Sequence, residues 1–150
     1  MEIKYQLFEK ENLVVQKFTG IFSIEKYIRY NRYIMENLAI KPIKKVLIDF
    51  RDILFSELTD ELPDDYADKL ELITEIRKNI NKNELKNKDV TLVIWVDKPL
   101  PTVVAHLFID NFQNQNYSYC STEENIRDIL KIPEHLNDLK NIVNNLDNTF

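Results

Sequence analysis

With a single glycine, Gly20, in 150 residues, the chain has no glycine-rich loop in which backbone amides could cradle a phosphate. Mononucleotide and dinucleotide fingerprints are therefore excluded. Its one cysteine, Cys120, cannot close an internal disulfide, so nothing in the chain calls for an oxidising compartment. The two histidines, His106 and His135, have no ligand spacing around that cysteine, which argues against zinc, and no cofactor is expected. No apolar run approaches the roughly 20 residues that cross a bilayer, so no transmembrane segment is predicted. The first residues, Met1-Glu2-Ile3-Lys4-Tyr5, lack the basic start and apolar run of a signal peptide, and the expected location is cytoplasmic. A formal net charge of -5 argues against a nucleic-acid surface, which needs clustered Lys and Arg to displace phosphate counterions.

What is present is an ordinary globular composition, with 44% hydrophobic residues set against 30% charged ones. That balance and length suit one domain over 1–150 with a core of its own. Ile3 to Phe8 and Leu13 to Phe18 read as two strands joined by the polar connection Glu9-Lys10-Glu11-Asn12, a β-hairpin, after which Gly20 is expected to break the second run. Ser23 is placed as the N-cap of a helix from Ile24 to about Leu38, with Phe22 and Tyr27 as a hydrophobic staple. Its buried stripe is Ile24, Tyr27, Ile28, Ile34, Met35 and Leu38, widened by Tyr30 and Tyr33. Pro42 ends that helix.

Lys45-Val46-Leu47-Ile48-Asp49-Phe50-Arg51-Asp52 then reads as a strand buried on both faces that ends abruptly in charge. A second helix is expected from Pro63, with Asp60, Glu61, Asp64, Asp65 and Asp68 at its amino end and Tyr66, Leu70, Ile73, Ile76 and Ile80 as its stripe. The most apolar run, Val90 to Val96, is a second central parallel strand, again ending in charge at Asp97-Lys98. Pro99 and Pro101 open a helix with Val103, Val104, Leu107 and Phe108 as its buried stripe and Thr102, His106, Asp110 and Gln113 as its polar face. Tyr117 to Cys120 is a short edge strand, and Ser121 with Glu124 forms a capping box for the next helix. After Pro133 a final helix is expected, with Leu136, Leu139, Val143 and Leu146 as an apolar seam that packs on its own sheet or on a second chain. The fold class is α/β: a mixed four- to five-stranded sheet, an N-terminal hairpin followed by parallel strands with helices, and an extra C-terminal helical extension from about residue 133.

The hairpin with Gly20, the strand Val46-Leu47-Ile48-Asp49-Phe50, the run Val93-Ile94-Trp95-Val96-Asp97-Lys98-Pro99 and the segment Tyr119-Cys120-Ser121-Thr122-Glu123-Glu124 occur in an order that resembles the STAS-like, SpoIIAA-like superfamily. That superfamily includes bacterial anti-sigma-factor antagonists and the cytoplasmic domains of sulfate transporters. The resemblance implies the fold and a regulatory, non-enzymatic role. Signalling members carry a phosphorylated serine followed by glycine in the loop after the third strand. Here that loop reads Phe55-Ser56-Glu57-Leu58-Thr59-Asp60, without the glycine, and its acids would repel an added phosphate. Ser56 and Thr59 are the nearest hydroxyls, and a module lacking the phosphoserine switch is the expectation.

No catalytic constellation emerges. His106 and Asp110, four apart on the polar face of a helix, read as a solvated pair rather than a general base with its orienting acid. Cys120 reads as a small buried hydrophobe rather than a reactive thiolate. The candidate site is positional: Asp49, Arg51 and Asp52 after one central strand, Asp97 and Lys98 after the other, and Ser56 and Thr59 in the adjoining loop meet at one sheet edge if the strands are parallel. A protein-interaction module, with a protein partner or self-association, is the leading reading. The alternative is a carrier or sensor of a small apolar or lipid-like ligand, suggested by the aromatic helix faces and the Phe55 loop.

Overall fold

The expected hairpin forms first, from β1 (Glu2–Phe8) and β2 (Leu13–Ile21), paired antiparallel from Glu2 opposite Thr19 to Phe8 opposite Leu13. In this computed structural model residues 1–38, 41, 43–54, 90–112 and 116–150 are described. A short 3-10 turn, Glu9–Glu11, closes the hairpin, and Asn12 leaves it with φ 51, a left-handed conformation that asparagine tolerates better than most residues. Gly20 does not break β2. Its φ of 76 falls where a side chain would be strained, and the strand runs on to Ile21.

α1 (Ile24–Leu38) follows with the expected bounds, and Ser23 caps it by accepting from the Lys26 amide at 3.2 Å. Phe22 and Tyr27 lie 5.9 Å apart between ring centres, as a staple requires. β3 (Lys45–Leu54) is longer than expected and passes through the charged residues instead of ending at them. β4 (Thr91–Trp95) pairs with it in parallel, Asp49 opposite Trp95. Then come α2 (Pro99–Phe112), β5 (Tyr117–Cys120) and α3 (Glu123–Leu130).

Two expectations about the caps and faces of these helices are corrected. Thr122, not Ser121, is the N-cap of α3, accepting from the Asn125 amide, and Glu123 reaches instead to the Leu139 amide at 3.0 Å. On α2, Val104 and Phe108 pack against the core as expected, but Val103 is exposed and Ala105 is buried in its place, because the helix turns its Ala105 side toward the sheet. The segment after Pro133 is also not one helix. It divides into a 3-10 turn at Glu134–Leu136, a six-residue α4 (Leu139–Asn144) capped by Asp138, and a two-residue strand β6 (Asn148–Thr149). The expected second helix from Pro63, with its acidic cluster, lies outside the described residues, as do Pro42, Phe55, Ser56, Thr59 and Gln113.

The described strands form one six-stranded sheet in the order β5-β4-β3-β2-β1-β6, one strand more than expected. β2, β3, β4 and β5 are parallel neighbours, and the antiparallel partners of β1 are β2 and β6. α1 and α2 cover one face, where Tyr27, Tyr30 and Ala105 join Ile3, Phe18, Ile48, Phe50 and Ile94. The helices α3 and α4 cover the other with Ile126, Leu130, Leu139 and Val143, over Leu13, Val15, Leu47, Val93 and Trp95. The C-terminal apolar seam thus packs back on its own sheet. A β-bulge interrupts the β2–β3 ladder: Lys17 lies opposite Asp49, but Thr19 lies opposite Asp52, so β3 holds one extra residue. The extra residue lets Phe50 and Ile53, an odd three apart, bury in the same layer.

Candidate functional site

Residues opposite one another in a sheet share a face, so Lys17, Asp49, Trp95 and Cys120 form one row across the four parallel strands, on the side covered by α3 and α4. Arg51 follows Asp49 by two along β3 and returns to that face. Asp49 is fully buried, with 0% of its side chain exposed, and Arg51 neutralises it. The guanidinium donates from Nε to Oδ1 at 2.8 Å and from Nη2 to Oδ2 at 2.9 Å, and the Arg51 backbone amide donates to Oδ1 at 3.1 Å. This fork geometry is the strongest form of a carboxylate pair. Burial works against the charge on Arg51, but its bond to Asp49 and the fields of Asp49, Asp52 and Asp97 outweigh that and hold its pKa above the usual arginine value.

The guanidinium lies flat on Trp95, its Cζ 3.6 Å from the ring centre, a cation–π contact that also shields the ion pair from water. Trp95 is fixed in turn by donating from Nε1 to the Ser121 carbonyl at 3.3 Å. Lys98 donates from Nζ to the Arg51 carbonyl at 2.8 Å, which ties the loop after β4 to β3. On the other flank Lys17 bridges Asp52 Oδ2 at 2.9 Å and Asn144 Oδ1 at 2.8 Å. The hydrogen bond from Lys17 holds the Asp52 carboxyl below the usual carboxylate range, against the opposing pull of partial burial.

The structure therefore brings Asp49, Arg51, Asp52, Asp97 and Lys98 to one end of the sheet, but in two roles. Asp49 and Arg51 are the base of the rim, with both carboxylate oxygens already taken. Asp52, Asp97 and Lys98 are exposed on it. Beside them the paired ends of β2 and β3 leave Ile21 and Leu54 more than half exposed, at 53% and 54%. Sequence reasoning missed Lys17 and Trp95. The i, i+2 spacing of Asp49 and Arg51 was a readable signal that they share a face, whereas the row that adds Lys17 and Trp95 exists only once the register is known.

His106 and Asp110 pair at 3.2 Å with both side chains more than half exposed, as a solvated helix pair does. Burial pushes the Cys120 thiol above its usual pKa, which disfavours the thiolate that a nucleophile would need. Among the described residues no group of three or more His, Cys, Asp or Glu side chains is placed to hold a metal ion, and no helix is long and apolar enough to cross a membrane.

No family model and no curated protein matches the sequence. Among solved structures, the chain is similar to the anti-sigma factor antagonist SpoIIAA in its unphosphorylated form. The TM-score is 0.53 at 12% sequence identity, over 87% of this chain and 98% of that one. A likeness of that kind rests on the path of the backbone, and the path here is a hairpin, parallel central strands and helices on both faces: the chain has a STAS-like, SpoIIAA-like fold.

Proposed function

We propose that the protein is a non-enzymatic regulatory or protein-interaction module of the STAS type, acting in the cytoplasm and working without a phosphorylated-serine switch. The observation that carries this reading is the carboxyl-end rim: exposed Ile21 and Leu54 next to exposed Asp52, Asp97 and Lys98, on a base immobilised by Asp49, Arg51 and Trp95. Apolar side chains ringed by charges are the composition of a protein contact surface. A rigid base lowers the ordering cost of binding there. Asp49, with both oxygens engaged, serves as an anchor rather than a general base. The missing switch is supported by the loop sequence at Ser56 and Thr59, which lacks the glycine of signalling members.

The test compares affinity capture by the wild-type chain with capture by the Leu54→Asp, Lys98→Glu double variant, both shown folded by circular dichroism. The expected result is a partner retained by the first and lost by the second. Equal recovery by both, or no specific partner at all, would overturn the reading.

The carrier alternative has weaker support. The aromatic face of α1 is filled by the protein's own rings, with Phe18 and Phe150 at 5.6 and 5.3 Å from Tyr30. Native mass spectrometry that retained an apolar ligand would reverse this ranking.

A further inference from the structure

At the other end of the sheet, roughly 13 Å along β3 from Asp49, lies an open cavity of about 430 Å³ whose lining includes Lys10, Glu11, Lys44, Lys45, Lys131 and His135. Four lysines converge there in a chain whose formal net charge is -5. They come from three separate segments: the hairpin turn, the start of β3 and the end of α3. One acid, Glu11, shares the lining and meets His135 Nε2 at 2.8 Å, while Glu9 pairs with Lys41, so the lysines outnumber the acids in the lining by four to one. Lys45 donates one of its three ammonium hydrogens to the Lys131 carbonyl at 3.0 Å. The side chains of Lys10, Lys44 and Lys131 are exposed and have no hydrogen-bond or carboxylate partner among the described residues.

The backbone beneath this cluster is fixed. The Asn12 carbonyl accepts from the amides of both Lys44 and Lys45 at 3.0 Å, pinning the hairpin turn to β3. The Lys44 carbonyl accepts from the Thr91 amide at 2.8 Å. Lys131 is held in a left-handed cap with φ 48, its amide bonded to the Arg127 carbonyl. Several lysines carried on a fixed backbone around one hollow suit a multiply charged anion.

We propose that this cavity binds a phosphorylated small molecule, its phosphate oxygens met by Lys44, Lys131 and Lys10. The volume falls within the range of small-molecule pockets. Lysine serves as a point-charge partner of phosphate, and the charges in this lining come from lysine. A phosphate also concentrates more negative charge into the hollow than one carboxylate does, which suits several unpaired ammonium groups.

The experiment titrates the full chain with inorganic pyrophosphate by calorimetry, with citrate and a phosphoserine peptide as comparison ligands. Saturable one-to-one binding of pyrophosphate that weakens as salt is raised is expected. Lys44→Glu and Lys131→Gly should each weaken it by roughly tenfold or more, the loss that goes with one charge-assisted hydrogen bond. Glycine suits the left-handed backbone at 131, so a loss there cannot be ascribed to misfolding. Lys4→Glu, at the other end of β1, should leave binding unchanged. Absence of pyrophosphate binding, equal weakening by Lys4→Glu, tighter binding of citrate, or binding of the peptide alone would each overturn the proposal.

Discussion

Asp49 is fully buried, and Arg51 donates to both of its carboxylate oxygens. Asp49→Ala leaves a guanidinium on Trp95 without its counter-charge, at a cost of about 3 kcal/mol, since breaking one partner of a buried pair strands the other. Urea unfolding measures this as a lower midpoint with an unchanged slope. Lys17→Met removes the bond that lowers the Asp52 pKa. A depressed carboxylate contributes stability above its unfolded pKa and loses it as pH falls through the folded value. The wild-type advantage over Lys17→Met is therefore present at neutral pH and shrinks in acid, which thermal unfolding at a series of pH values checks. Tyr30 behaves in the opposite sense. Its ring is fully buried, and its hydroxyl has no hydrogen-bond partner among the described residues. Burial, followed by the neighbouring tyrosines, raises its pKa, and likewise pushes Tyr5 up to about 12, helped by the bond to Tyr33. A raised phenol stabilises the fold below the ordinary tyrosine pKa, and that contribution is lost as pH rises toward the folded value. Tyr30→Phe should raise stability by about 1 kcal/mol at neutral pH by removing an unsatisfied buried group, and should flatten the alkaline loss in the same melts.

Elements whose signals are local were legible in the sequence. The apolar stripe of α1, its Ser23 cap and Phe22–Tyr27 staple all lie within a few residues of one another, and the helix has the bounds they imply. The two apolar runs lie side by side and parallel, as continuous β-branched segments do when both faces are covered. Where two adjacent residues could serve the same purpose, sequence alone did not decide. Ser121 and Thr122 are both capping types, and Thr122 wins because its hydroxyl reaches the Asn125 amide. Thr122→Ala should cost roughly 0.5–1 kcal/mol and Ser121→Ala almost nothing, a contrast that paired chemical-denaturation curves resolve. The rim and the lysine cavity differ in the same way. Asp49 and Arg51 are two residues apart and readable as a pair. Lys10, Lys44 and Lys131 come from distant parts of the chain, and only the meeting of the hairpin turn, β3 and the end of α3 makes them neighbours.

At the scale of the whole molecule, the last residues are part of the core rather than an appendage. A stripe of Leu136, Leu139, Val143 and Leu146 suits a dimer seam as well as a core helix, because spacing reveals an apolar face but not what covers it. The answer came from β6, a strand of only two residues, Asn148 and Thr149, too short for an alternating pattern to announce it. They pair with β1 opposite Tyr5 and Lys4, and the Phe150 amide donates to the Ile3 carbonyl at 2.9 Å. That return path lays α4 across the sheet, buries Leu139, Val143 and Leu146 over Leu13 and Val15, and sets Phe150 against Tyr30 and Tyr33. Ending the chain at Lys131 would uncover all of them. At about 1.5–3 kcal/mol for each large side chain, the lost burial is comparable with the entire 5–15 kcal/mol that stabilises an ordinary domain. The expected outcome is a shortened chain without a cooperative thermal transition by circular dichroism. If it instead stayed folded, and light scattering found it monomeric where the full chain is dimeric, α4 would be an intermolecular contact and its packing on β2 would need another explanation.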